Sequence, residues 1–257
     1  MVKKLPLGIQ TFSKMIKDDC LYVDKTRHIA ELIQAGDYLF LSRPRRFGKS
    51  LLVSTLAEIF AGNKAIFQGL YIYDKIEWQS YPVILIDFNR ISHHNDEVFN
   101  ASLLSFLDKV AGKYEIVLSS QFIREKFAEL IEKLCEKTHQ KVVILVDEYD
   151  KPIVDHIDDV EKAKKNRDIL REFFGVLKSS DAFLRFVFLT GVSKFSQVSI
   201  FSDLNNIRDI TLSKKFTTLL GYTQTELDSR LKFLRAKTLA SKAILIKLSK
   251  ILVLSWG

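Results

Sequence analysis

The feature that most restricts the fold is a glycine-containing polar turn between a short apolar run and a helix-like segment. Residues 38–41 are Tyr-Leu-Phe-Leu, a run that suits a buried strand. The turn continues from Arg43 to Ser50, and residues 51–60 have the apolar periodicity of a helix that ends near Gly62. A strand, a turn and a helix in this order predict an α/β unit whose turn lies at a helix N-terminus.

The same alternation of strands and helices continues along the chain. Residues 142–146 have no polar face, which is typical of a strand inside a parallel sheet. Further strands are predicted at residues 82–88, 184–189 and 208–212, and helices at residues 23–34, 97–110, 120–137 and 160–178. We therefore expect a three-layer α/β sandwich with a mainly parallel sheet, and a break after it at Gly221.

The turn has the spacing of a phosphate-binding loop, G-x-x-x-x-G-K-[ST]. The matching residues are Arg43, Pro44, Arg45, Arg46, Phe47, Gly48, Lys49 and Ser50. In such a loop Gly48 lets the backbone approach the phosphates, Lys49 pairs with the β- and γ-phosphates, and the Ser50 hydroxyl ligates Mg²⁺. Arg43 replaces the first glycine and lacks the freedom of glycine at positive φ. Arg45 and Arg46 are either further phosphate donors or solvated surface residues.

Two adjacent carboxylates close the strand predicted at residues 142–146. In P-loop ATPases a carboxylate at this place helps to hold Mg²⁺, which is the role expected of Asp147. A second carboxylate beside it polarises the attacking water as a general base, which is the role expected of Glu148. A solvated strand-to-loop corner is the plainer interpretation, but the phosphate loop upstream favours the catalytic one. Glu148 and Lys49 are thus the predicted catalytic residues.

The nucleotide is expected to be ATP. The strand at residues 82–88 falls between the phosphate loop and the acidic pair, as in the P-loop ATPases that have an additional strand and a catalytic glutamate. This order argues against a small GTPase or a nucleoside kinase. The sequence also contains no N-K-x-D element for guanine recognition.

The composition narrows the class of protein and its partners. The net charge is +8, but seven of the 39 basic residues lie in residues 229–257, which contain no acidic residue, so residues 1–228 have 32 basic against 31 acidic residues. The high net charge is therefore weak evidence for nucleic-acid binding, and the near-neutral body argues mildly against it. No apolar run is long enough to span a bilayer, and no apolar segment follows the basic N-terminus, so a cytoplasmic location is expected.

Four strings resemble the prokaryotic AAA-ATPase-like family over roughly residues 5–228. They are Tyr22-Val23-Asp24-Lys25-Thr26, residues 39–51, Val146-Asp147-Glu148-Tyr149-Asp150-Lys151-Pro152 and Leu189-Thr190-Gly191-Val192-Ser193-Lys194-Phe195. The resemblance implies an AAA-like ATP-binding domain at residues 1–220. It extends the nucleotide-binding stretch through Leu51 and implies the same Mg²⁺ and water-activating pair. That family also has an arginine at the first glycine position. Thr190 lies where such ATPases have a polar sensor of the γ-phosphate, although an ordinary strand-end turn fits it equally.

The last segment, residues 221–257, departs from the family. Residues 221–227 look like the opening of a helical lid, and the resemblance ends after Asp228 in a lysine- and leucine-rich sequence. Members of the family often carry a C-terminal nuclease-like domain of the PD-(D/E)XK type, and no nuclease cluster is found here. We interpret residues 221–257 as a partial lid whose chain continues after Asp228 as a truncated or frame-altered tail. The alternative is that the tail after Asp228 is a basic amphipathic helix for a membrane surface or an acidic partner.

The leading prediction is Mg²⁺-dependent ATP hydrolysis coupled to a conformational change. One alternative is an ATP-binding switch or scaffold with little turnover. Another is the remnant of a nucleic-acid-processing protein whose nuclease part has been lost. Whether the partner is a second copy of this chain or another protein stays open.

Overall fold

The structure is a computed structural model that describes residues 3–193, 200–201 and 207–228. The basic segment at residues 229–257 lies outside these residues, as do Lys194 and Phe195 at the end of the fourth family-like string. The statements below concern the described residues.

A parallel sheet forms the centre of the described part of the chain. Its strands are β1 (Tyr38–Ser42), β2 (Val83–Asp87), β3 (Val142–Asp147), β4 (Leu184–Gly191) and β5 (Arg208–Asp209). They are arranged in the order β2-β3-β4-β1-β5, and each neighbouring pair is parallel. The strand that separates β1 from β3 in space is β4, whereas β2 separates them in sequence and lies at an edge of the sheet.

Helices cover both faces of the sheet. They are α1 (Phe12–Lys17), α2 (Thr26–Ile33), α3 (Lys49–Phe60), α4 (Asp96–Lys113), α5 (Ile123–Thr138), α6 (Lys151–Val154) and α7 (Val160–Ser179). Because successive strand residues point to opposite faces, Leu39 and Leu41 pack with α1, α2 and α3, while Phe40 packs with α4, α5 and α7. Two buried cores on either side of one sheet make the predicted three-layer sandwich, and this fold class is confirmed.

Local hydrogen bonds explain why some elements begin or end away from their predicted limits. Helix α2 begins at Thr26 rather than residue 23, because the Asp24 carboxylate lies outside the helix and accepts the Thr26 N–H at 2.8 Å. Strand β5 is two residues long rather than five, since the Asp209 carboxylate accepts the Thr211 N–H at 2.8 Å and turns the chain. Helix α4 begins after Asn95, whose side chain caps the Val98 N–H.

No helix in the described part of the chain combines the length and apolar character needed to cross a membrane. Cys20 and Cys135 are both free thiols, and Cys20 is buried.

Candidate functional site

The turn from residue 43 to residue 50 joins the carboxyl end of β1 to the first turn of α3. Gly48 immediately precedes α3 with a left-handed backbone, φ 94°, which favours glycine. Arg46 is also left-handed, with φ 65°. The first N–H groups of a helix have no partner within the helix, and they suit an anion such as phosphate. The geometry therefore suits phosphate at the start of α3.

Arg43 does not need the backbone freedom of the glycine that it replaces, because its φ is not positive. Its guanidinium donates to the carbonyl oxygens of Thr211 at 2.6 Å and Ser42 at 3.0 Å. Its backbone N–H donates to the Gly191 carbonyl at 3.1 Å. Burial lowers the pKa of Arg43, and Asp209 opposes that effect. Arg43 thus ties the turn to both β4 and the segment after β5.

The Lys49 side chain lies inside the turn, and only 4% of the residue is exposed. Its ammonium donates to the carbonyl oxygens of Arg43 at 2.9 Å and Pro44 at 3.0 Å. Burial lowers the pKa of Lys49, while the negative charges of Glu148, Asp147 and Asp150 favour its charged form. Lys49 is therefore a buried cation beside the acidic residues of the neighbouring loop.

Asp147 is the last residue of β3 and lies close to the phosphate-loop turn. Its carboxylate accepts a hydrogen bond from the Thr190 hydroxyl at 2.7 Å and lies beside the Ser50 hydroxyl. Burial raises the pKa of Asp147, and the Ser50 and Thr190 hydroxyls oppose the increase. The structure thus brings together Ser50 and Asp147, the two residues predicted as metal ligands.

Two further carboxylates lie at the same edge of the sheet. Glu148 is half-buried with a left-handed φ of 56°, and Asp87 pairs in register with Asp147 across β2 and β3. The charges of both raise the pKa of Asp147 further. Asp87 was not singled out from the sequence, although it ends a predicted strand as Asp147 does.

The other residues of the predicted nucleotide-binding stretch surround this centre. Pro44, Arg45 and Arg46 are exposed, and Arg45 forms a long ion pair of 3.8 Å with Asp155. Phe47 is half-buried against Gly221, and Leu51 packs partly buried beside the core under α3. The solvated position of Arg45 and Arg46 leaves them free to turn towards a bound phosphate.

Thr190 is fully buried at the end of β4, and its hydroxyl also lies 3.3 Å from the Val146 carbonyl. The next two residues of the third string, Tyr149 and Asp150, are buried as well. Asp150 accepts N–H bonds from Val192 and Ser193. Tyr149 and Asp150 were not singled out from the sequence, where their position directly after the acidic pair is the one available signal.

The first family-like string contacts the segment that follows β5. The Lys25 ammonium donates to the Thr218 carbonyl at 2.9 Å and to both oxygens of Glu226, at 2.7 and 2.8 Å. Glu226 and Thr223 each accept a backbone N–H from the other, which is a capping box at the start of the helical residues 224–228. This capping box was readable from the sequence, whereas its contact with Lys25 was not.

Comparisons with known proteins identify the family of this chain. The chain is similar to an "Uncharacterized protein in vnfD 5'region" of Azotobacter chroococcum mcd 1, with 47% identity over 232 residues. The alignment covers 88% of this chain, and the chain spans 44% of the length of that relative. No solved structure matches the chain. The model of the family described as "Predicted AAA-ATPase" matches residues 6–201, so this chain belongs to that AAA-ATPase-like family.

Proposed function

We propose that this chain binds Mg²⁺ and ATP and hydrolyses the γ-phosphate bond. One observation carries the proposal. The Ser50 hydroxyl at the start of α3 lies beside the Asp147 carboxylate at the end of β3, with the buried Lys49 ammonium in the same turn. A cation site and a phosphate site therefore adjoin, as the hydrolysis of a metal–nucleotide complex requires.

The residues present fit a magnesium ion. Mg²⁺ prefers oxygen ligands and is usually held by one or two protein side chains together with water and substrate phosphate. Ser50 and Asp147 supply a hydroxyl and a carboxylate that lie beside each other. Ser50 and Asp147 would hold the ion, which would supply positive charge against the charge that develops on the phosphate oxygens.

Phosphate binding is proposed for the turn and its lysine. The N–H groups at the start of α3 point their dipoles at the phosphates, and Lys49 exchanges its carbonyl partners for phosphate oxygens. Arg43 contributes through its backbone carbonyl, which positions Lys49. Arg45 and Arg46 remain candidates for additional phosphate contacts.

Glu148 is proposed as the general base. It lies next to Asp147 and is half-buried, so its carboxylate can accept a proton from a water molecule directed at the γ-phosphate. Thr190 is proposed as the polar sensor, since its hydroxyl already binds the Asp147 carboxylate. A change at the metal site would therefore reach β4 through Thr190.

We further propose residues 1–220 as the ATPase domain and residues 221–257 as the start of a lid and its tail. Gly221 has a left-handed φ of 72°, and the capping box of Thr223 and Glu226 begins a new helical segment directly after it. ATP as the substrate also favours a cytoplasmic location.

The test is steady-state ATP hydrolysis with Mg²⁺, measured beside nucleotide binding. Glu148→Gln is expected to bind ATP and to lose about 100- to 10,000-fold in kcat, because only the base is removed. Lys49→Ala is expected to weaken ATP binding by roughly 10- to 100-fold, the effect of losing a charge-assisted hydrogen bond. Glu132→Gln, on the exposed face of α5, is the matched control and is expected to behave as the parent.

The outcomes separate the alternatives. A parent protein that binds ATP without turnover would favour the switch or the remnant of a larger protein. A parent that is folded by circular dichroism and binds no nucleotide would contradict the assignment of the phosphate loop itself.

A further inference from the structure

Four residues at the end of β4 contact both halves of the candidate site. On one side, Thr190 donates its hydroxyl to Asp147. On the other side, the Gly191 carbonyl accepts the Arg43 N–H at 3.1 Å, and the Val192 carbonyl accepts the Ser42 hydroxyl at 2.8 Å. Residues 190–193 therefore form the bridge between the acidic pair and the phosphate loop, because β4 lies between β1 and β3.

Asp150 binds the C-terminal end of this bridge, at Val192 and Ser193. It is 1% exposed, and its carboxylate accepts the Val192 N–H at 3.0 and 3.2 Å together with the Ser193 N–H. Hydrogen bonds from backbone N–H groups to an ionised carboxylate are stronger than those between neutral groups. A buried carboxylate that accepts two backbone amides is therefore a strong restraint on residues 192 and 193.

Tyr149 restrains the same residues from the adjacent position. It is fully buried, its hydroxyl donates to the Ser193 carbonyl at 2.8 Å, and its N–H donates to the Thr190 carbonyl at 3.0 Å. Its ring also occupies the place that a side chain at residue 191 would need, since a Cβ there would lie 2.4 Å from Tyr149 Cε1. Gly191 therefore lies close against the Tyr149 ring.

We propose that Tyr149 and Asp150 are positioning residues that clamp residues 190–193, and thereby hold Thr190 against Asp147 and Gly191 against the phosphate loop. This inference rests on the proposed ATPase function, in which Asp147 is a metal ligand and Thr190 its partner. Partners that orient a metal ligand typically affect metal affinity or activity by about 10- to 100-fold when they are lost. The clamp acts indirectly, because Tyr149 and Asp150 bind the backbone of residues 190–193 and Thr190 in turn binds Asp147.

The test compares Asp150→Asn with the parent and with Asp158→Asn, an exposed acid of the same segment, as the matched control. Asparagine can place its one acceptor oxygen where Oδ2 accepts both amides, but it has no negative charge to strengthen these bonds and it replaces Oδ1, which also accepts the Val192 N–H, by an NH₂ group that repels it. We expect kcat per nucleotide-binding site to fall about 10- to 100-fold and the Mg²⁺ concentration for half-maximal activity to rise by a similar factor. The KM for ATP should change by less than about threefold, because the contacts to the phosphates are retained.

These readouts distinguish a positioning role from a merely structural one. A structural defect would reduce the number of competent sites and leave both kcat per site and the Mg²⁺ requirement unchanged. If folded Asp150→Asn has the same kcat per site and the same Mg²⁺ requirement as the parent, the proposal is overturned. Should Asp150→Asn not fold, Tyr149→Phe takes its place, because it keeps the ring against Gly191 and removes only the hydroxyl bonded to Ser193.

Hydrogen exchange of the Val192 and Ser193 amides tests the clamp without reference to turnover. In the same variants we expect these amides to exchange at least about tenfold faster than in the parent, since hydrogen-bonded amides exchange only on local opening. A parent protein without ATPase activity would refute the proposed function alone, and exchange would then decide the clamp. Unchanged protection in folded Asp150→Asn would overturn it, and faster exchange would support it.

Discussion

Replacing Gly191 by alanine is expected to destabilise the protein through a clash at the end of β4. A Cβ at this position would lie 2.4 and 2.6 Å from two ring carbons of Tyr149 and 2.8 Å from an Asp150 oxygen. The ring cannot turn into solvent, because Tyr149 is fully buried and packs against Phe40 and Phe201 with ring centroids 5.5 and 5.3 Å away. The core must therefore shift to admit one methyl group.

The expected loss is the difference between two effects. Overpacking a well-packed core costs about 1–3 kcal/mol. The φ of Gly191 is not positive, so alanine adds no backbone strain and reduces the entropy of the unfolded chain, which returns about 0.4–1 kcal/mol. We expect the free energy of unfolding to fall by about 1–2 kcal/mol and the Tm by roughly 2–8 °C for a chain of this size.

Urea and thermal unfolding of Gly191→Ala beside Gly175→Ala provide the assay. Gly175 lies inside α7, and no other atom comes within 4 Å of a Cβ built there. Alanine at that position should raise the free energy of unfolding by about 0.5–1 kcal/mol, which is the opposite sign. If Gly191→Ala is as stable as the parent while Gly175→Ala behaves as expected, the account of close packing at β4 is refuted.

Three other substitutions test contacts described above. Lys25→Met removes the ammonium that donates hydrogen bonds to Glu226. We expect it to lower the free energy of unfolding, measured in urea, by about 1–3 kcal/mol. The control Lys164→Met, at an exposed ion pair, should change the free energy of unfolding little. An equal loss of stability in the two variants would contradict a special role for Lys25. The hydrogen bond from Lys133, with N–H bonds from the preceding loop, lowers the pKa of Glu129 below its usual 4.5. The folded pKa is the lower one, so the ionised group stabilises the fold above about pH 4.5 and less as the pH falls. The difference in free energy of unfolding between the parent and Glu129→Gln should therefore become smaller in acid. Unfolding at several pH values measures it, and a difference that does not change with pH would exclude the lowered pKa of Glu129 as its cause. Arg43→Gly should lower stability by about 1–3 kcal/mol while nucleotide titration shows ATP affinity little changed, because the guanidinium binds carbonyl oxygens. A large loss of ATP affinity in Arg43→Gly would indicate that the guanidinium contacts phosphate instead.

The sequence predicted the local parts of the site better than their arrangement. The loop from Arg43 to Ser50 and the carboxylate Asp147 were predictable, because each depends on a short run of residues at the end of an apolar strand. Helix α3 begins at Lys49, two residues before its predicted start, since the apolar periodicity becomes visible only at Leu51. The consensus pattern has a glycine where this chain has Arg43, and this is why Arg43 was expected to constrain the loop. In the structure the residues of the loop with a left-handed backbone are Arg46 and Gly48.

The remaining features depend on pairs that are far apart in sequence. Lys25 and Glu226 are separated by 201 residues, and no periodicity links them. The contact of Asp150 with Val192 and Ser193 follows from the strand order, which places β4 beside β3. Short apolar runs indicate strands but contain no information about which strands are neighbours, and this is why the clamp could not be predicted.

The insertion of β4 between β1 and β3 has a consequence for the synthesis of the chain. Tyr38 pairs with Val187, and Ile144 pairs with the same residue from the other side. Among the described residues, the strand pairing between the two halves of the sheet therefore runs through β4. A nascent chain that has reached residue 183 already contains Lys49, Ser50, Asp147 and Glu148, but it lacks the strand that brings them together. Pairings of such large sequence separation form slowly. Nucleotide affinity should thus appear late on the ribosome, and ATP would stabilise only chains whose central strand is already in place.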